Sequence, residues 1–187
     1  MLFSSSLLWQ PIKSMLSNKI YPQNPLSQNT EDLACQVLSL LIQRGETLAT
    51  AESCTAGLIV AALGRIPGAS KSLLGGLVTY TEDLKQSLLG VKAQSLACYG
   101  VVSEEVAGEM VMGLKDRLKP DLALSVTGLA GPGGGTEILA VGTVCFGLAY
   151  KDKIETWTSH FAGDRRQVQN AACQEALAKA VHILKHV

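Results

Sequence analysis

Residues 122–127 (Leu-Ala-Leu-Ser-Val-Thr) carry no charge and run directly into residues 128–135 (Gly-Leu-Ala-Gly-Pro-Gly-Gly-Gly). An apolar run without alternation, cut off by glycines, reads as a strand covered on both faces. Such a strand needs helices on either side, and the rest of the chain offers them. Asn29 or Thr30 caps a first helix with Glu31 and Asp32 in its first turn, an apolar face at Leu33, Val37, Leu40 and Leu41, and Gly45 at its end. Residues 46–51 form a short β-prone run, and Leu58, Ile59, Ala62 and Leu63 then recur at helical spacing. Pro67-Gly68 is a turn, 74–80 a strand, 81–88 and 92–99 short helices, and Ser103 caps a longer helix over 104–118. Residues 141–150 and 154–161 flank the turn Lys151-Asp152-Lys153 as antiparallel strands. Asp164 and Gln167 open the last helix as a capping box, with a buried stripe at Cys173, Leu177, Ala180, Val181 and Leu184. This order predicts an α/β fold, a mixed and largely parallel sheet sandwiched between helices.

Composition narrows the function. With 187 residues, 47% hydrophobic and 17% charged, one domain with one core is expected. Residues 29–187 form that domain, and 1–28, rich in Ser, Asn, Gln and Pro and free of acids, form an irregular appendage. Sixteen basic and sixteen acidic side chains cancel, so nucleic acid and an anionic membrane are not expected partners. The apolar runs are broken before membrane-spanning length. Five scattered cysteines and three histidines show neither a disulfide framework nor metal spacing, which points to a reducing, cytoplasmic setting and no metal. The glycine loop matches neither a Walker nor a dinucleotide pattern, and no cofactor is expected.

Three segments directly follow predicted strands: Ser53, Tyr80 with Lys85, and the loop 128–135. In a parallel sheet all three converge at one edge, where ligand sites lie. Ser53, at a strand-to-helix turn, would find oxyanion donors among the unpaired amides of the following helix. A serine needs a base, and Lys85 can serve if burial leaves it neutral, with Tyr80 relaying a proton or orienting the attacked group. The loop could cradle a phosphate, and Gly163-Asp164-Arg165 opens a helix that welcomes an anion. Each residue also has an ordinary reading: Ser53, Thr55 and Asp164 as helix caps, Lys85 and Arg165 as solvated charges, Tyr80 as core, the loop as a connector.

Six segments taken together, 51–57 (Ala-Glu-Ser-Cys-Thr-Ala-Gly), 78–85 (Val-Thr-Tyr-Thr-Glu-Asp-Leu-Lys), 102–106 (Val-Ser-Glu-Glu-Val), 127–135, 141–144 (Val-Gly-Thr-Val) and 163–165, resemble the CinA C-terminal domain family. That family includes bacterial nicotinamide mononucleotide deamidases. The resemblance implies a three-layer α/β/α sandwich and a homo-oligomer. It also implies deamidation of nicotinamide mononucleotide to nicotinate mononucleotide and ammonia, in pyridine nucleotide salvage. It puts the nucleophile on Ser53, the lysine on Lys85 and the tyrosine on Tyr80, with substrate contacts at Cys54, Thr55, Gly57, Thr127, Gly128, Gly131, Gly133 and Arg165. The chain departs from the family pattern at Ala56, at Leu139-Ala140 where Lys-Pro is common, and at Gln169 where an arginine often stands. Those departures leave two alternatives open: a nucleotide-binding module with little turnover, or a hydrolase for a different carboxamide.

Overall fold

The computed structural model describes residues 27–186. Its elements are α1 (Gln28–Arg44), β1 (Leu48–Glu52), α2 (Leu58–Gly64), β2 (Leu73–Val78), α3 (Glu82–Leu89), α4 (Ala93–Tyr99), α5 (Glu104–Leu118), β3 (Leu122–Gly128), β4 (Thr143–Tyr150), β5 (Lys153–His160) and α6 (Arg165–Lys185). The sheet order is β2-β1-β3-β4-β5. β1 is parallel to β2 and β3, while β4 runs antiparallel to both β3 and β5, so four of the five strands point the same way. The result is the three-layer α/β/α sandwich, with a mixed sheet whose centre is parallel.

Strand parity divides the core in two. Leu48, Leu122, Leu124, Val126, Phe146 and Leu148 face one layer, built from α1, α2 and α6. Ala49, Ala51, Ala123 and Ala149 face the other, against Val106, Met110, Val111 and Leu114 of α5 and Leu89 of α3. Small side chains on that second face let α5 lie close to the sheet. Because β1, β2, β3 and β5 share a direction, the segments after them, 53–57, 79–81, 129–142 and 161–164, gather at one edge.

Several boundaries shift from the sequence expectation. The helix expected to begin after Asn29 or Thr30 begins earlier: Ser27 Oγ accepts from Thr30 N, and Gln28 opens α1. The appendage assigned to 1–28 otherwise lies outside the described residues. The buried stripe of α1 is Ala34, Val37, Leu38 and Leu41, with Leu33 and Leu40 at its margin, because α2 and α6 both pack on this helix and rotate the covered face. β1 extends to Glu52 instead of ending at Ala51, and β2 stops at Val78, which moves Tyr80 from a strand into the loop before α3. The capping box of Asp164 and Gln167 and the stripe of the last helix stand as expected.

α3 and α5 cross at Gly113, where an added Cβ would lie 1.7 Å from the carbonyl oxygen of Leu89. A clash with backbone cannot be relieved by a rotamer, so α3 would have to move. Gly113→Ala should therefore lower stability by about 1–3 kcal/mol in urea unfolding. Gly64→Ala, at the end of α2 where an added Cβ meets nothing within 4 Å, should be neutral or stabilising. Equal effects of the two substitutions would show that close helix contact does not fix α3.

Candidate active site

β1 ends in two adjacent residues that face opposite ways. Glu52 lies toward α2 and is 1% exposed. Its carboxylate accepts from the backbone N–H groups of Gly57, Ile59 and Val60 at 3.0, 3.1 and 2.8 Å, and from the hydroxyls of Thr55 and Thr50 at 2.7 and 3.1 Å. A carboxylate at a helix N-terminus satisfies donors the helix cannot use and complements its dipole. It also corrects an expectation: the first amides of α2 are occupied by Glu52 and do not stand ready as oxyanion donors for Ser53. The turn between them is tight, with Ala56 (φ 53) and Gly57 (φ 95) both left-handed and no side-chain cap at Gly57.

Ser53, next in the chain, lies toward α3. Its N–H donates to Val126 O at 2.9 Å, which pins it to β3. Lys85 Nζ is 2.9 Å from Ser53 Oγ and 2.8 Å from Thr79 O, and the lysine is fully buried. It reaches this position from α3, whose N-terminus is capped by Thr81 Oγ1 accepting from Leu84 N. Burial lowers the Lys85 pKa from 10.5 to about 8, while the neighbouring Cys54 and Glu82 pull the other way. Lysine is almost never fully buried without a role or a counter-charge. Here it faces a carbonyl and a hydroxyl, and the lowered pKa gives it an uncharged amine able to take the serine proton as pH rises toward 8. Cys54 offers the contrary case, since burial pushes its thiol up to about 12 and keeps it protonated.

A pocket of about 180 Å³ opens beside Ser53, lined by Cys54, Thr127 and Gly128 and by the apolar Val101 and Leu129. Ala130 and Arg165 divide it from a second cavity of about 370 Å³ that also touches Pro132, Val141 and Arg166. Arg165 donates to Gly131 O at 2.9 Å and to Tyr80 Oη at 2.6 Å, so it joins α6 to the loop after β2.

Of the residues singled out from sequence, Ser53, Cys54, Tyr80, Thr127, Gly128 and Arg165 line the pocket, with Lys85 behind Ser53. Gly131 contributes its carbonyl to Arg165. Thr55 and Gly57 are turned away and bonded to Glu52, and Gly133 lies exposed on the loop with open space about it. Tyr80 is 52% exposed at the pocket wall and its hydroxyl accepts from Arg165, while Lys85 and Ser53 are paired to each other. The amides at the start of α6 are likewise taken: those of Arg166 and Gln167 donate to Asp164 at 2.9 Å. Asp164 thus occupies two of the amides that an anion at this helix start would otherwise meet. Gln169 donates to Cys54 O at 2.7 Å and so ties α6 to the serine turn.

No individual site role follows from sequence for Glu52, Val101, Leu129 or Ala130, and Gln169 stood out there only as a departure from the family pattern. Only Glu52 left a signal, as an acid ending an otherwise uncharged strand immediately before a helix. Among the described residues no three His, Cys, Asp or Glu side chains are grouped to hold a metal ion, and no helix is long and apolar enough to cross a membrane.

Comparison with known proteins gives the family and the fold. Residues 30–184 match the family model described as the CinA C-terminal domain. A CinA-like protein of Mycolicibacterium gilvum is 46% identical over 151 residues, which cover 80% of this chain and 34% of that protein. A CinA-like protein of Acidobacterium capsulatum is 42% identical over 81% of this chain and 36% of its own length. The chain thus spans about a third of the length of these relatives. The crystal structure of the competence damage-inducible protein A from Klebsiella pneumoniae superposes with a TM-score of 0.82 at 38% identity, covering 84% of this chain and 98% of that one. The competence/damage inducible protein CihA from Agrobacterium tumefaciens gives 0.84 at 33% identity, covering 87% and 99%. The chain belongs to the CinA C-terminal domain family.

Proposed function

We propose that this chain is an amidohydrolase that converts nicotinamide mononucleotide to nicotinate mononucleotide and ammonia, with Ser53 as nucleophile and Lys85 as its base. The observation that carries the reading is the 2.9 Å contact between a fully buried lysine amine and the serine hydroxyl at the pocket wall. In the neutral state Nζ accepts the Ser53 proton and keeps an N–H on Thr79 O. Oγ then attacks the carboxamide carbon. The C–N bond breaks as the proton held on Lys85 passes to the departing nitrogen, which leaves as ammonia, and an ester on Ser53 remains. Water attacks that ester, giving its proton through Lys85 back to Oγ, and the carboxylate product departs.

The shape of the site supports a two-part substrate. The 180 Å³ pocket with apolar walls suits a single aromatic ring, and the larger cavity beyond Arg165 has room for the remainder of a nucleotide, with Arg165 and Arg166 on its wall. Arginines in the first turn of α6 oppose the helix dipole, and a bound phosphate would offset that cost. Leu139 and Gln169, where the family pattern is commonly Lys-Pro and arginine, favour the second reading, a carboxamide substrate without a phosphate. Ammonia release from nicotinamide mononucleotide, its riboside and nicotinamide, measured side by side, separates the two. Turnover of the riboside or nicotinamide alone would overturn the nucleotide assignment, and binding without ammonia from any of them would overturn the enzyme.

Ser53→Ala and Lys85→Met should each lower kcat by at least about 10³-fold, while Cys54→Ala retains activity. A dead Cys54→Ala that is folded would move the nucleophile to sulfur. Because the active form of Lys85 is the neutral amine, kcat/KM should rise with pH and level off above an apparent pKa near 8. Stability carries the opposite face of the same shift. Lys85 binds its proton less readily when folded, so the unfolded chain holds more protons between about 8 and 10.5, and stability gains as pH rises through that window. Below it the penalty for burying the ammonium is constant. Lys85→Met should therefore raise Tm at pH 7 while abolishing turnover, as calorimetry across pH would show.

A further inference from the structure

The geometry points to Glu52 as a positioning residue, a buried carboxylate that fixes the turn bearing Ser53 and so sets where the nucleophile meets Lys85. The inference rests on the hydrolase reading of Ser53 and Lys85 given above.

Five donors converge on this carboxylate. Oε1 receives Thr50 Oγ1 and Val60 N, and Oε2 receives Thr55 Oγ1, Gly57 N and Ile59 N. The three backbone N–H groups can only donate, so each carboxylate oxygen acts as an acceptor, Oε1 for Val60 N and Oε2 for Gly57 N and Ile59 N. The bonds run from the last residue of β1 across the turn to the first turn of α2. They therefore hold both flanks of 53–57, including the left-handed Ala56, which an alanine adopts only when its surroundings impose it. Within this span Ser53 has a different set of partners, Val126 O for its N–H and Lys85 for its hydroxyl. Strand parity explains the division, since side chains at 52 and 53 leave β1 on opposite faces. The turn is held from one face of the sheet, and the nucleophile is presented on the other.

A second, independent feature guards the arrangement. At Gly76 of β2, an added Cβ would stand 2.5 Å from Thr50 Oγ1 and 2.9 Å from Val60 Cβ. Glycine there leaves room for the Thr50 hydroxyl that donates to Glu52, and for the residue whose amide does the same.

The test reads Ser53 directly, by its rate of covalent labelling with a fluorophosphonate probe, together with kcat and KM for ammonia release from nicotinamide mononucleotide. Glu52→Gln keeps the shape but places an NH₂ against N–H donors, and Thr55→Val removes one donor with almost no change of volume. Both should slow labelling, by about 100-fold for Glu52→Gln and less for Thr55→Val, with kcat falling in parallel and KM within about twofold of wild type. Thr55→Ser, which restores the hydroxyl, should recover the wild-type labelling rate. If Glu52→Gln does not fold, the Thr55 pair decides alone. Folded variants that label Ser53 and turn over at the wild-type rate would overturn the positioning role and leave the hydrolase reading intact. A wild-type chain whose Ser53 neither labels nor turns over would remove the hydrolase reading, and this inference with it.

Discussion

The burial of one amine governs this site. Lys85 is fully enclosed and has two polar partners, the Thr79 carbonyl and the Ser53 hydroxyl. An ammonium in that setting is costly, and two hydrogen bonds to neutral oxygens offset only part of the cost. The fold holds the lysine there by packing. α3 is capped at Thr81, closed at Gly90 and pressed against α5 at Gly113, so the helix that carries Lys85 has little freedom to let it out. What the arrangement loses in stability appears as an amine whose pKa is lowered to about 8.

Around that amine the two faces of the central sheet have divided their work. The face toward α1, α2 and α6 is built of large aliphatic and aromatic residues and supplies most of the hydrophobic burial. The face toward α3, α4 and α5 is built of alanines, with Ser125 and Gly147 beneath α5, and lets helices come close. Close approach is what brings a side chain from α3 to the end of β1. A bulkier second face would hold α3 further out, and the amine would not reach the serine.

Most of the scaffold was legible because it depends on local signals. The apolar run of β3, the capping box of α6 and the cap at Ser103 each needed only a few neighbouring residues, and each stands where expected. The pairing of Ser53 with Lys85 was foreseeable once parallel strands placed both at one edge. What escaped reading depends on partners distant in sequence or on backbone direction. Glu52 drew no role because nothing local says that the amides of Gly57, Ile59 and Val60 turn toward it. Tyr80 looked like a strand aromatic because the stop of β2 at Val78 is set by pairing with β1, and its Arg165 partner comes from the far end of the chain. Val101, Leu129 and Ala130 are ordinary apolar residues that became a pocket wall only through loop geometry.

The order of the elements along the chain has a consequence for biosynthesis. Ser53 after β1 and Lys85 on α3 precede β3, β4, β5 and α6, whereas Arg165 and Gln169 belong to the last helix. A growing polypeptide thus has the Ser53 hydroxyl and the Lys85 amine before it has Arg165, which lines the pocket from α6. Without α6 the aliphatic face of the sheet also lacks one of the three helices that cover it. Docking of the last helix therefore completes both the hydrophobic interior and the wall of the pocket beside Ser53.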